Sequence, residues 1–102
     1  MLVVITDPAK ASLSNIYQYY RRKKLGMYGR SIRLAVYEKS KTLKTSPYIG
    51  QVEEEFLHLN KGHRYLVVKS NYKVIYRVDE SKSIIFITDV FDTRQNPNKM
   101  KP

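Results

Sequence analysis

The hydrophobic pattern of this chain changes from a helical period in its first half to strand-like runs in its second half. Apolar residues recur at steps of three and four over Pro8–Leu25 and again over Arg30–Leu43, which predicts two helices. The short connection contains Gly26 and Gly29, so the two helices are expected to form an antiparallel hairpin. The run of Val and Ile at Leu2–Thr6 predicts a strand ahead of them.

Three more strands are predicted between Gly62 and Pro97, with turn residues separating them. Ile84–Ile87 is apolar on both faces, so its strand is expected in the interior of the sheet. The segment Val52–Leu59 is expected to form a short strand or an extended loop. The sequence therefore predicts a single α+β domain over 1–102: an N-terminal strand, an antiparallel helical hairpin, then an antiparallel β-meander with the helices packed on one sheet face.

A hairpin turn at Ser70-Asn71 predicts the register of the first two strands of the meander, because Asn tolerates the positive φ that two-residue turns require. On one face this register pairs Tyr65 with Tyr76 and Val67 with Val74. On the other face it pairs Arg64 with Arg77, Leu66 with Ile75 and Val68 with Lys73.

The second of these faces is the candidate binding surface. Like charges directly opposite each other destabilise a sheet, so Arg64 against Arg77, with Lys73 beside them, predicts a bound anion. The anion is either a phosphate or an acidic side chain of a protein, and Leu66, Val68 and Ile75 would form the apolar floor. The alternative is an ordinary solvent-exposed sheet face with surface charge.

Composition supports an anionic partner. The 19 Lys and Arg residues exceed the 9 Asp and Glu residues and give a net charge of +10, which favours nucleic acid or an acidic protein. The chain has no Cys, so disulfides and thiolate metal sites are excluded, and no metal or cofactor is expected. The N-terminus resembles neither a signal peptide nor a membrane span, which predicts a cytoplasmic protein without a membrane partner.

In its ordered set of features, the chain resembles the RelE/ParE superfamily of toxins from bacterial type II toxin–antitoxin systems. The resemblance covers nearly the whole length. It rests on the apolar positions of the first helix, the end of the second helix, the two strands of the hairpin and the closing segment: Leu13, Ile16, Tyr17, Tyr20, Leu43, Pro47, Gly50, 64–68, 72–78 and 90–97.

The resemblance implies a toxin that a small acidic antitoxin neutralises. RelE-like members are ribosome-dependent mRNA endonucleases that need no metal, whereas ParE-like members share the fold and poison DNA gyrase. By comparison with RelE-like members, Lys73, Arg64 and Arg94 are the candidate catalytic residues, and no counterpart of their C-terminal catalytic Tyr follows Arg94.

Metal-free RNA cleavage also requires a proton carrier. The candidates are His58, His63 and the acidic triplet Glu53–Glu55, for each of which a structural or solvated role is the alternative. Likewise, Arg21–Lys24 are either a solvated helix end or a nucleic-acid site.

The favoured hypothesis is a ParE-like gyrase poison, because the helical hairpin is long and uninterrupted and the nuclease set is incomplete. The antitoxin is expected to cover either the helical hairpin or the basic sheet face, where it would bind Arg64, Leu66, Lys73, Ile75 and Arg77. The alternatives are a RelE-like, ribosome-dependent endonuclease that cleaves mRNA, and a non-toxic basic RNA-binding module.

Overall fold

Two helices lie across one face of a five-stranded sheet in the computed structural model, which describes residues 1–102. The predicted α+β class and the order of strand, helical hairpin and meander are confirmed. The elements are β1 (Leu2–Ile5), α1 (Asp7–Arg22), α2 (Gly26–Lys41), β2 (Gln51–Val52), β3 (Arg64–Val68), β4 (Tyr72–Asp79) and β5 (Ile84–Asp92), with 3₁₀ helices at Thr42–Lys44, Glu54–Leu59 and Pro97–Lys99.

Both helices begin earlier than their periodicity indicates. The Thr6 side chain accepts a hydrogen bond from the Ala9 N–H and caps α1, so the helix starts at Asp7. Gly26 is the first residue of α2 rather than the end of α1, because the chain reverses within Lys23–Leu25. No helix of the protein has the length and apolar character needed to cross a membrane.

The sheet order is β1-β5-β4-β3-β2, with β1 parallel to β5 and all other neighbours antiparallel. The interior position predicted for the Ile84–Ile87 strand is therefore confirmed. The segment Val52–Leu59 divides into the end of the two-residue strand β2 and the 3₁₀ helix Glu54–Leu59.

The predicted register between β3 and β4 is wrong by one residue. Arg64 lies opposite Tyr76, Leu66 opposite Val74 and Val67 opposite Lys73. The physical reason is the loop, in which Lys69 and Ser70 have φ of 52° and 69° and the turn continues through Asn71. A shift of one residue exchanges the faces of a strand.

The two faces of the sheet carry separate apolar clusters. The helix face, which packs against α1 and α2, buries Leu66, Val68, Tyr72, Val74 and Tyr76 from β3 and β4. The opposite side, here called the distal face, buries a smaller cluster of Phe56, Ile75, Phe91 and Met100. The C-terminal segment thus covers part of the face that the sequence predicts to be open.

Candidate functional site

Lys73 forms a largely buried ion pair on the distal face. Its Nζ lies 2.8 Å from Oε2 of Glu53, and the exposed fractions of the two side chains are 23% and 3%. The same Nζ is 4.1 Å from the centroid of the Tyr65 ring. A carboxylate and an aromatic ring therefore already satisfy the Lys73 ammonium, in a place where burial strengthens the attraction.

The cleft around Lys73 has a volume of about 370 Å³ and is lined by all three residues of the acidic triplet. Glu54 and Glu55 are exposed at its rim, whereas Glu53 caps the 3₁₀ helix by accepting a hydrogen bond from the Glu55 N–H at 3.3 Å. Three carboxylates against a single lysine make this cleft locally negative. Its charge is opposite to that of the predicted anion site.

Arg64 lies on the helix face and not beside Lys73. Its Nη1 donates to the carbonyl oxygen of Gly50 at 2.8 Å and to that of Tyr48 at 3.3 Å. A Cβ on Gly50 would lie 2.7 Å from the Tyr65 carbonyl oxygen and 2.7 Å from the Tyr76 hydroxyl, so only glycine fits there. Arg64 therefore fastens this loop to the edge of the sheet.

Arg77 shares the distal face with Lys73, as predicted, but the two cations do not converge. They are four residues apart on β4, a distance of about 13 Å along a strand. Ile75 lies between them as part of the distal apolar cluster. The Arg77 guanidinium packs 4.6 Å from the centroid of the Phe86 ring.

Arg94 occupies a third location, beyond the end of β5. Its guanidinium binds the Asp92 carboxylate in a bidentate manner, with Nε–Oδ1 and Nη2–Oδ2 distances of 3.0 and 2.8 Å. The hydrogen bond from Arg94 lowers the pKa of Asp92 and outweighs the opposing effect of partial burial. The neighbouring cavity of about 440 Å³ is lined by Tyr19, Tyr20 and Tyr72 rather than by Lys73.

The two histidines differ in their surroundings. His58 is exposed on the 3₁₀ helix, whereas His63 is buried against the Phe56 ring at a centroid distance of 5.0 Å. Neither ring nitrogen of His63 has a hydrogen-bond partner. Burial lowers the pKa of His63 and outweighs the opposing effect of the Pro102 backbone; Arg77 and Lys61 add to the lowering, and Glu53 opposes it.

The buried His63 predicts that acid destabilises the protein. Because its pKa is lowered in the folded state, the unfolded chain takes up a proton first as the pH falls through about 6.5. The free energy of unfolding should therefore decrease between about pH 7 and pH 5, and it should decrease less in His63→Phe. Urea denaturation across this range measures the difference, and the exposed His58→Gln is the matched control. If the free energy of unfolding decreased with pH equally in wild type and in His63→Phe, the prediction would be wrong.

Sequence reasoning missed two residues that shape the distal face. The acidic triplet indicates that a cation is neutralised, but nothing in the sequence identifies Glu53 as the partner of Lys73. Met100 is an apolar residue alone in a polar tail, and that isolation was the only available signal that it would be buried.

Comparison with known proteins agrees with this architecture. The family model of the ParE toxin of the type II toxin–antitoxin system parDE matches residues 3–97. The chain belongs to the ParE toxin family. A solved structure of the chromosomal ParDE toxin–antitoxin system from P. aeruginosa has the same fold, with a TM-score of 0.72 and 21% identity, over 90% of this chain and 95% of that chain. No curated protein matches the sequence.

Membership in the ParE toxin family confirms the predicted toxin class and implies an antitoxin as partner. Within this fold the candidate catalytic residues Arg64, Lys73 and Arg94 occupy three separate places, each with a partner in the same chain. The predicted antitoxin-binding set is likewise divided, with Leu66 on the helix face and Ile75 on the distal face.

Proposed function

We propose that this toxin inhibits growth by binding and poisoning DNA gyrase, and that it does not cleave messenger RNA. The observation that carries the proposal is the dispersal of the candidate catalytic cations. Metal-free cleavage requires positive charge to converge on one phosphate as negative charge develops there. Here Arg64 binds a loop carbonyl, Lys73 binds Glu53 and Arg94 binds Asp92. Membership in the ParE family supports a protein target independently of this geometry.

We further propose that an acidic antitoxin binds along the free edge of β3. The strand β2 pairs only with Arg64 and Tyr65, which leaves the outer edge of Leu66–Val68 without a neighbouring strand. Exposed Ile49 and Val67 and the basic Lys39 line a cleft of about 340 Å³ beside this edge. An extended segment with alternating acidic and apolar residues would extend the sheet there.

Expression of the chain in a bacterium tests the proposed target. Growth should stop, plasmids should lose negative supercoiling, and transcripts should remain intact. Arg94→Ala should arrest growth as wild type does, because the Arg94 side chain is exposed and its only carboxylate partner is Asp92 two residues away.

Two outcomes would contradict the gyrase proposal. Cleaved transcripts that disappear with Arg94→Ala would indicate the mRNA endonuclease. Unaffected growth would indicate a basic RNA-binding module without toxicity.

A further inference from the structure

The helical hairpin carries positive charge that nothing in the protein neutralises. From Pro8 to Tyr37 the sequence contains no Asp or Glu, and its basic residues are Lys10, Arg21, Arg22, Lys23, Lys24, Arg30 and Arg33. Four of these lie together where α1 ends and α2 begins, and all four are exposed. None of these seven residues belongs to the three ion pairs of the structure, which are formed by Lys41 at the end of α2, by Lys73 and by Arg94.

The stability of the hairpin explains only part of this charge. Arg21 and Arg22 lie in the last turn of α1, where cations favour the negative end of the helix dipole. Lys23 and Lys24 stand directly before the positive end of α2, whose first turn has no acidic residue and no side-chain cap. At that position the dipole and the neighbouring cations both repel a lysine.

The backbone at Lys24 and Lys69 also disfavours lysine, because both residues have a positive φ. Lys24 has a φ of 60° and ends α1 through the bonds Lys24 N–H to Arg21 O and Leu25 N–H to Tyr20 O, a closure that favours glycine. Lys69, in the β3–β4 loop, has a φ of 52°, and its Nζ is 5.9 Å from the centroid of the Tyr28 ring on α2. Two positions that favour glycine thus carry lysines at the same end of the molecule.

Exposed aromatic rings lie among these cations. Tyr19 and Tyr28 are 48% and 40% exposed, and both rings pack edge-on against Tyr20. The Lys23 Nζ is 5.7 Å from the centroid of the Tyr19 ring. Interleaved cations and rings are typical of surfaces that bind single-stranded nucleic acid, where the cations follow the phosphates and the rings stack on bases.

We propose that this surface, the hairpin tip formed by Arg21–Lys24 and Lys69 with Tyr19 and Tyr28, binds the phosphodiester backbone of nucleic acid without sequence preference. Unpaired cations in neighbouring positions match a regular row of phosphates, and contacts to phosphates carry no sequence information. This activity is separate from the proposed action on gyrase and does not require it.

Fluorescence anisotropy with the purified chain and a mixed-sequence 20-bp DNA duplex tests the proposal. We expect a dissociation constant of about 10⁻⁶–10⁻⁴ M near physiological salt and a log–log salt slope of about −4. Arg22→Ala/Lys23→Ala should weaken binding at least about tenfold at 0.1 M salt and reduce the slope by about 2. Lys44→Ala/Lys61→Ala, which removes the same net charge from exposed positions outside the tip, should change affinity by less than about threefold.

A glycine variant distinguishes the loss of charge from the loss of stability as the cause of weaker DNA binding. Lys24→Gly should raise the melting temperature by about 4 °C, because it relieves the left-handed backbone, and should still weaken DNA binding several-fold. Ser83→Gly is the matched control: Ser83 has a φ of 54° and lies in the β4–β5 turn, so it should gain stability with unchanged DNA affinity.

Three results would overturn the proposal: equal losses from the two double variants, an unchanged affinity for Lys24→Gly, or binding to polyglutamate as tight as to DNA. The last result would identify the tip as a contact for an acidic protein. A single-stranded RNA of equal phosphate number, titrated in parallel, should bind at least as tightly as the duplex, because its bases can stack on Tyr19 and Tyr28. Undetectable binding of this RNA would also overturn the proposal.

Discussion

Replacing Lys73 with methionine is expected to lower the free energy of unfolding by about 3 kcal/mol. The substitution leaves the Glu53 carboxylate, which is 3% exposed, without the ammonium that lies 2.8 Å away. An uncompensated buried charge costs far more than the loss of an exposed ion pair. Urea denaturation monitored by tyrosine fluorescence measures the change.

The matched control is Lys41→Met, which breaks the exposed pair with Glu38 at 3.2 Å and should cost less than about 0.5 kcal/mol. The double variant Glu53→Gln/Lys73→Met removes both charges and should recover about 1–3 kcal/mol relative to Lys73→Met alone. It should also remain toxic, because the proposed action on gyrase assigns Lys73 no catalytic role. A double variant that is folded but harmless would contradict this assignment.

Replacing Met100 with alanine is expected to cost about 2–3 kcal/mol, although Met100 is two residues from the C-terminus. The side chain is 6% exposed and packs with Phe56, Ile75 and Phe91 on the distal face. Loss of the Met100 side chain leaves a cavity and weakens the attachment of the C-terminal tail to the distal face. The next residue of the tail, Lys101, donates its N–H to the Asp89 carboxylate at 3.0 Å. Thermal denaturation should show a lower melting temperature.

The control for Met100 is Met27→Ala, at a methionine that is 84% exposed on α2. This change should alter the stability by no more than about 0.5 kcal/mol. Equal changes in stability from Met100→Ala and Met27→Ala would mean that Met100 does not contribute to the apolar cluster on the distal face.

Periodicity predicted the parts of the fold that depend on burial of one face. The buried Ile32 and Val36 of α2 lie on its predicted apolar stripe, and Ile84–Ile87 belongs to an interior strand because both its faces are apolar. These features follow from the order of apolar and polar residues along a segment, which can be read from a single sequence.

The predicted register between β3 and β4 was wrong because the register depends on the conformation of individual loop residues. Nothing in the types of Lys69 and Ser70 indicates that both adopt positive φ, a conformation uncommon outside glycine. The resulting shift moved Arg64 to the helix face, whereas Lys73 and Arg77 kept their predicted face because β4 itself was placed correctly.

The apolar cluster on the distal face could not be predicted from the sequence either. Phe56 and Met100 come from irregular segments that have no periodic pattern, and both cover the distal face through contacts distant in sequence. The pairing of Glu53 with Lys73 depends on the same long-range packing, since the two residues are 20 positions apart.

The most direct test of the central claim is a supercoiling assay with purified DNA gyrase, relaxed plasmid and increasing amounts of the toxin. We expect supercoiling to fall with toxin concentration, equally for wild type and for Glu53→Gln/Lys73→Met, while a ribosome-bound message incubated with the same toxin stays intact. Undiminished supercoiling together with a message cut only by the wild type would contradict the account.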